Sequence, residues 1–89
     1  MKAIVTVVGN DKVGIIAKVS TLLAKLNINI LDISQTIMQD IFTMIMLVDI
    51  GKSEKSIGDI NGEFEKLGEE LGVEIRIQHQ GIFNSMHRI

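Results

Sequence analysis

Gly9-Asn10-Asp11-Lys12-Val13-Gly14 is the stretch around which the rest of the chain is organised. It follows residues 2–8, which are rich in β-branched side chains and long enough for one buried strand. After it, apolar residues recur at helical spacing as far as Leu26. The stretch therefore joins a strand to a helix, whose first N–H groups have no partner within the helix. If the protein binds a small polar ligand, we expect the ligand here.

The composition narrows the class of protein. The chain has 89 residues, no cysteine, a formal net charge of −2 and a mean hydropathy of +0.32. This length predicts a single domain over residues 1–89, which a second subunit would stabilise further. The charge does not indicate nucleic-acid or membrane binding, and the lack of cysteine excludes disulfides and a thiol nucleophile. Because no apolar run reaches about 18 residues and no signal peptide is evident, we expect a cytoplasmic protein.

The rest of the chain continues the alternation of strands and helices. Apolar patterning predicts strands over 28–38, 41–50 and 73–80, and a second helix over 57–71. The apolar parity switches within the second strand, which predicts a β-bulge near Leu31-Asp32. Residues that favour helix ends support these bounds. They are Asn10 or Asp11 before the first helix, Asn27 after it, Ser56 with Asp59 at the start of the second, and Gly72 at its end.

This order predicts an α+β, ferredoxin-like βαββαβ sandwich. Its four-stranded antiparallel sheet has the order 4-1-3-2, with both helices on one face. The two central strands are apolar on the other face too, through Val5 and Met44 or through Ile4 and Ile45. A second subunit or a helical tail could cover that face. Side-by-side pairing through the second strand and face-to-face packing of two sheets both fit the pattern. The tail residues at helical spacing are Ile82, Phe83, Met86 and Ile89.

The strand ending in Gly-Asn-Asp-Lys-Val-Gly-Ile, the helix after it, and Leu26-Asn27-Ile28-Asn29-Ile30 together resemble the ACT domain family. ACT domains are small ligand-sensing modules, often for amino acids, found beside many metabolic enzymes. The resemblance covers nearly the whole chain and is sharpest at Asp11-x-x-Gly14 and Asn29-Ile30. A closer likeness is to the stand-alone single-ACT-domain proteins of an uncharacterised bacterial and archaeal family. It rests on Asp32-Ile33-Ser34-Gln35-Thr36 and on the ending, and that group has no assigned reaction.

The resemblance implies a ligand site at a subunit interface. The loop would supply backbone groups at Gly9 and a polar side chain at Asn10 or Asp11, and Gly14 would allow close approach. Asn29 would reach in from the neighbouring subunit. The chain departs from the serine-binding pattern, because Gly9 replaces a His and Asp11 replaces an Asn. An ionised Asp only accepts hydrogen bonds, so it suits an ammonium group and repels a carboxylate. The alternative is that the stretch is only a tight strand-to-helix turn.

Other chemistries lack the residues that they need. His79 and His87 have no carboxylate at metal-ligand spacing, so we expect neither a metal site nor a cofactor. The serines lack a recognisable base partner, so no catalytic residue is assigned. Acylphosphatases share the element order but need an arginine in the phosphate loop, whereas this chain has only Arg76 and Arg88. RNA-binding proteins of similar topology need aromatic residues on the central strands, and the aromatic share is 3%.

The sequence therefore predicts a regulatory module without catalysis of its own. It would act as a homodimer that binds a small metabolite, such as an amino acid, and would pass its signal to a separate effector protein. The alternative is an interaction or adaptor domain that regulates a separate enzyme or regulator without any ligand. In that case the loop is structural, and the apolar sheet face or the tail docks the partner.

Overall fold

The computed structural model describes residues 1–10 and 13–79. The predicted order of elements is confirmed, and the fold is the ferredoxin-like sandwich. Gln80 and the tail after it, including the predicted helical spacing there, lie outside the described residues. The elements are β1 (Lys2–Asn10), α1 (Ile15–Lys25), β2 (Asn29–Met38), β3 (Ile41–Asp49), α2 (Ile57–Leu71) and β4 (Val73–His79).

The four strands form one antiparallel sheet in the order β2-β3-β1-β4. This is the predicted order read from the opposite edge, with β1 and β3 central and β2 and β4 at the edges. The predicted bulge is confirmed, because the register of β2 against β3 shifts between Ile30 and Asp32. Leu31 is the extra residue of that shift, so the strand keeps apolar Ile30 and Ile33 on the same side of the sheet.

The core lies between the helices and one face of the sheet. Val5 pairs with Met46 and Ile77 across the two neighbouring strands, and all three side chains are buried. Burial of this set is the main source of stability, at roughly 25 cal/mol for each Å² of apolar surface removed from water. The helices contribute the buried side chains Ile15, Val19, Leu23, Ile60 and Phe64.

The register settles which apolar set faces away from the helices. Val5 and Met44 belong to the core. The second set, with Ile4 and Ile45, therefore lies on the face of the sheet that α1 and α2 do not cover, which we call the open face. Ile4 is buried, whereas Val8 is 43% exposed and Ile45 is 38% exposed. The open face therefore presents apolar side chains on its two central strands.

The helix ends follow the predicted residues with one correction. Neither Asn10 nor Asp11 is the N-cap of α1: Asn10 is the last residue of β1, and Gly14 occupies the cap position. Gly14 has φ 93°, a left-handed conformation that favours glycine, so the backbone turns into the helix without a capping side chain. The other three ends are as predicted. Asn27 has φ 60°, the Ser56 side chain accepts from the Asp59 N–H at 3.2 Å, and Gly72 has φ 71°.

Candidate ligand site

The strand before the candidate loop is longer than the sequence predicts. Gly9 pairs with Phe42 and Val73, and Asn10 pairs with Ile41, so both residues belong to β1. A Cβ on Gly9 would lie 2.6 Å from Cγ1 of Val73, so this position has a packing reason to be glycine. Asn10 is exposed at the end of the strand, where its side chain is accessible to a ligand.

Gly14 is a glycine for a different reason. No atom lies within 4 Å of a Cβ built there, so the requirement comes from its positive φ and not from packing. Its carbonyl oxygen accepts from the Lys18 N–H at 3.0 Å, which is the first hydrogen bond of α1. The first N–H groups of a helix carry a partial positive charge and attract anionic groups. Asp11, the candidate between Asn10 and Gly14, lies outside the described residues.

Asn29 lies at the other end of the sheet from these residues. It pairs with Asp49, which in turn pairs with Lys2 at the start of β1. Asn10 is eight positions further along β1, or about 26 Å at roughly 3.3 Å per residue. One chain therefore does not bring Asn29 together with Gly9, Asn10 and Gly14.

Asn29 has its own polar surroundings. It lines a groove of about 520 Å³ together with Asn27, Asp49 and Lys52. Asp49 Oδ1 accepts from the Gly51 N–H at 2.9 Å and from the α-ammonium group of Met1 at 3.2 Å. The Gly51 hydrogen bond, followed by that of the N-terminus, lowers the pKa of the Asp49 carboxyl below its ordinary value of 3.8. The lowered pKa favours the charged form of the Asp49 carboxylate, which lies beside the positive charge of the N-terminus.

The β2 edge connects the two ends of the sheet. Nine of the ten residues of β2 are exposed, and Ile30 is half-buried. Ile33 pairs with Met46 and Ile37 with Phe42, so both isoleucines lie on the helix-covered side of the sheet. They are nevertheless 44% and 55% exposed, because neither helix extends over this edge. Among the described residues, no strand pairs with the outer side of β2, and the Ile33 N–H binds Oδ1 of Asp32 at 2.8 Å. The edge thus combines backbone groups that lack a strand partner there with exposed apolar side chains.

Asn61 has a structural role that the sequence patterns do not predict. Asn61 of α2 donates through Nδ2 to the Ile77 carbonyl at 3.2 Å and accepts through Oδ1 from the Ile77 N–H at 3.1 Å. The only sequence signal is its place beside the buried Ile60, at the border of the apolar stripe of α2. A polar residue at such a border is most simply interpreted as solvated, so its role was not predicted.

Other kinds of site lack support in the described part of the chain. Among residues 1–10 and 13–79, no three His, Asp or Glu side chains could hold a metal ion together. Neither α1 nor α2 has the length and apolar character that crossing a membrane requires. The features described above that could bind a ligand or a partner are the strand-to-helix junction, the groove at Asn29, the β2 edge and the open face of the sheet.

A four-stranded sheet with two helices on one face occurs in several classes of protein, so the family has to be identified from the sequence as well as from the fold. The sequence pattern of the ACT domain matches residues 2–78, and the chain belongs to the ACT domain family. Its curated relatives are UPF0237 proteins. One from Clostridium acetobutylicum is 61% identical over 89 residues, which is 100% of both chains. ACT domains are regulatory, and the matched family is not a catalytic one.

Solved structures agree with this assignment. The ACT domain protein from Streptococcus pneumoniae is 47% identical and has a TM-score of 0.82, over 93% of each chain. The regulatory subunit of aspartate kinase from Thermus thermophilus is 24% identical with a TM-score of 0.67. That match covers 86% of this chain and 50% of the kinase subunit, and it shows a shared fold alone.

Proposed function

We propose that residues 1–89 act as one ACT domain that senses a small metabolite as a homodimer, with the ligand at the seam between two subunits. Membership of the ACT domain family supports a regulatory role, and the kinase subunit named above is regulatory by its own description. We further propose that the protein is cytoplasmic, that it has no catalysis or cofactor of its own, and that it regulates a separate effector protein.

The exposed β2 edge is the observation that supports the proposed dimer. Unpaired N–H and C=O groups along an edge strand are a template for pairing with another chain. Ile33 and Ile37 add apolar surface beside that template. The side chains of Gln35 and Thr36 between them carry no charge, so two copies of this segment would not repel each other. We therefore favour side-by-side pairing over face-to-face packing of two sheets.

A two-fold axis through this edge would complete the candidate site. Pairing β2 with its copy in antiparallel orientation places the start of one strand beside the end of the other. The start is Asn29, and the end is Met38, which pairs with Ile41 next to Asn10. Because β2 and β3 lie between the partner's β2 and β1, Asn29 of the partner subunit would be three strand spacings from Asn10, or about 14 Å at roughly 4.8 Å per spacing. Within one chain the separation along β1 alone is about 26 Å. A ligand held between Asn29 of the partner subunit and the loop of Asn10, Asp11 and Gly14 would contact both.

The chemistry of that junction suits a zwitterionic ligand. An ionised Asp11 would accept from an α-ammonium group and would repel a carboxylate. The start of α1, where Gly14 supplies no capping side chain, could accept the carboxylate of the same ligand. Asn29 of the partner subunit carries both a donor and an acceptor and could bind either group. An amino acid is the simplest molecule with both charges.

A thermal-shift screen of the protein against the standard amino acids and a panel of metabolites tests this proposal. A ligand at a hundredfold excess over its dissociation constant stabilises the protein by about 2.7 kcal/mol. For a domain of this size each kcal/mol raises the melting temperature by about 4–8 °C. A selective shift in wild type that Asp11→Ala abolishes supports the site. A shift that Asp11→Ala leaves unchanged places the ligand elsewhere.

The open face of the sheet favours a second function. Val8 and Ile45 are exposed on its two central strands, and apolar side chains there could dock a partner protein. Under this alternative the protein is an adaptor that regulates an enzyme or regulator without a ligand. No thermal shift across the whole panel, together with a partner whose binding is lost in Val8→Lys, would favour the adaptor.

A further inference from the structure

The second edge of the sheet differs from the first. β4 has β1 on one side, and on the other side the Asn61 side chain binds both backbone polar groups of Ile77. One donor and one acceptor at a single residue are what a neighbouring strand would supply. The Asn61 amide therefore takes the place of a strand at this position.

The backbone of α2 also comes close to this edge near the start of β4. Backbone groups of alternate residues in a strand point to the same side, so those of Val73 and Ile75 share the direction of Ile77. A Cβ on Gly68 would lie 2.6 Å from the Val73 carbonyl oxygen and 3.7 Å from the Ile75 nitrogen. Gly68 is two helical turns after Asn61, or about 10 Å along α2. The helix thus meets the outer side of β4 at Ile77 and at Val73, and a groove of about 640 Å³, whose lining includes Glu65 and Ile75, lies between the helix and the strand.

We propose that Asn61 limits the assembly of this protein by closing the β4 edge to a second copy of the chain. A sheet with two open edges can add copies at both and grow without an end, whereas a sheet with one open edge stops at a closed pair. Within the described residues, β2 has one side-chain hydrogen bond to its backbone, from the Ile33 N–H to Asp32 Oδ1 at 2.8 Å. At Ile77 of β4, by contrast, one side chain binds both the backbone donor and the backbone acceptor. Loss of that side chain frees the Ile77 donor and acceptor for strand pairing.

The test compares three proteins by sedimentation velocity: wild type, Asn61→Ala and Asn61→Lys. Both variants lose the hydrogen bonds to Ile77, but the lysine adds a charge that opposes strand pairing. We expect Asn61→Ala to form species at least about twice the mass of wild type, with a share that rises with concentration. Asn61→Lys should keep the wild-type mass. A folded Asn61→Ala with the wild-type mass overturns the proposal, and so does equal growth of the two variants.

Amide hydrogen exchange supplies a measurement on the unmodified protein, should the variants not fold. The Ile77 N–H should exchange at least about tenfold more slowly than the Ile75 N–H, for which the described residues supply no side-chain acceptor. Equal exchange of the two amides overturns the proposal. The inference rests on the proposed homodimer in one respect only, which is the mass expected for wild type. If wild type is a monomer, the homodimer fails while growth of Asn61→Ala to a dimer still supports the role of Asn61.

Discussion

Gly9 and Val73 are so close across β1 and β4 that a Cβ on Gly9 would lie 2.6 Å from Cγ1 of Val73 and 3.0 Å from its Cα. The backbone atom cannot move away without disturbing the pairing of the two strands. Gly9 is therefore needed for the sheet whether or not its backbone also contacts a ligand. A loss of binding on substitution at this position would have to be separated from a loss of stability.

We predict that Gly9→Ala lowers the free energy of unfolding by about 1–3 kcal/mol, the usual range for an overpacked site. Urea unfolding followed by circular dichroism measures this change. Adding Val73→Ala to Gly9→Ala removes Cγ1 and should make the pair less destabilising than the sum of the single changes. Val8→Ala is the control, because its side chain is exposed in the same strand. If Gly9→Ala has the same free energy of unfolding as wild type, the two strands separate more easily than the structure implies.

Two glycines of α2 should respond in opposite ways to alanine. At Gly62 no atom lies within 4 Å of a Cβ, so alanine should stabilise the helix by about 0.5–1 kcal/mol. At Gly68 the Cβ would meet the Val73 carbonyl oxygen at 2.6 Å, and alanine should lower the free energy of unfolding by about 1–3 kcal/mol. Thermal unfolding of the two variants measures whether each alanine raises or lowers the stability. A stabilised Gly68→Ala would contradict the close packing of α2 along β4.

Mixing two variants tests whether the candidate site is shared between subunits. Asp11→Ala and Asn29→Ala should each fail to bind the metabolite found in the thermal-shift screen. In a mixed dimer, one of the two sites keeps Asp11 from one chain and Asn29 from the other. Unfolding and refolding an equal mixture should therefore restore about a quarter of the wild-type sites, measured by titration calorimetry.

The separately refolded variants are the control for this mixture. If binding stays absent after mixing, the two residues do not meet across a dimer. If the Asn29→Ala variant binds the metabolite as wild type does, the ligand site does not need the Asn29 side chain. In either case the masses of the proteins show whether a dimer is formed at all.

The carboxylate of Asp49 should make stability depend on pH. The Gly51 N–H, and then the N-terminal ammonium group, lower its pKa below 3.8. A group with a lowered pKa stabilises the folded state above its unfolded pKa and loses this effect as the pH falls through the folded value. Asp49→Asn should therefore lower the melting temperature at pH 6, and the difference from wild type should shrink as the pH falls below 3.8.

Thermal unfolding of both proteins at several pH values measures this dependence. Asp40→Asn is the control, since Asp40 is exposed in the turn between β2 and β3 and its replacement should change stability by at most about 0.5 kcal/mol. A difference between Asp49→Asn and wild type that is the same at pH 6 and pH 3 would contradict the role of the charge.

The sequence predicts the fold well because its local signals agree with one another. The apolar alternation of Val73, Ile75 and Ile77 marks the buried side of β4, and the parity switch at Leu31 marks the bulge. Asn27 and Gly72 end their helices in the left-handed conformation that their residue types favour. Each of these signals spans only a few residues, so no knowledge of distant contacts is needed to interpret it.

The candidate site is less predictable because it depends on contacts between distant residues. Gly9 and Asn10 resemble a loop, yet they continue β1 because Phe42 and Ile41 pair with them across the sheet. The Asn61 side chain reaches a backbone 16 residues away, and nothing in its neighbours signals that distance. Whether Asn29 meets Asp11 depends on a second copy of the chain, which the apolar pattern allows in two arrangements.

Leu31 is a residue that β2 could lose without losing its pairing. Because this residue is extra relative to β3, Ile30 and Asp32 pair with Val48 and Leu47, which are consecutive in β3. A deletion of Leu31 would therefore leave a regular register, with Ile33 still opposite Met46 and on the same side of the sheet as Ile30. What the strand would lose is the local bend and the stronger twist that a bulge produces. A relative one residue shorter at this point would thus present the same side chains along the β2 edge, on a straighter strand.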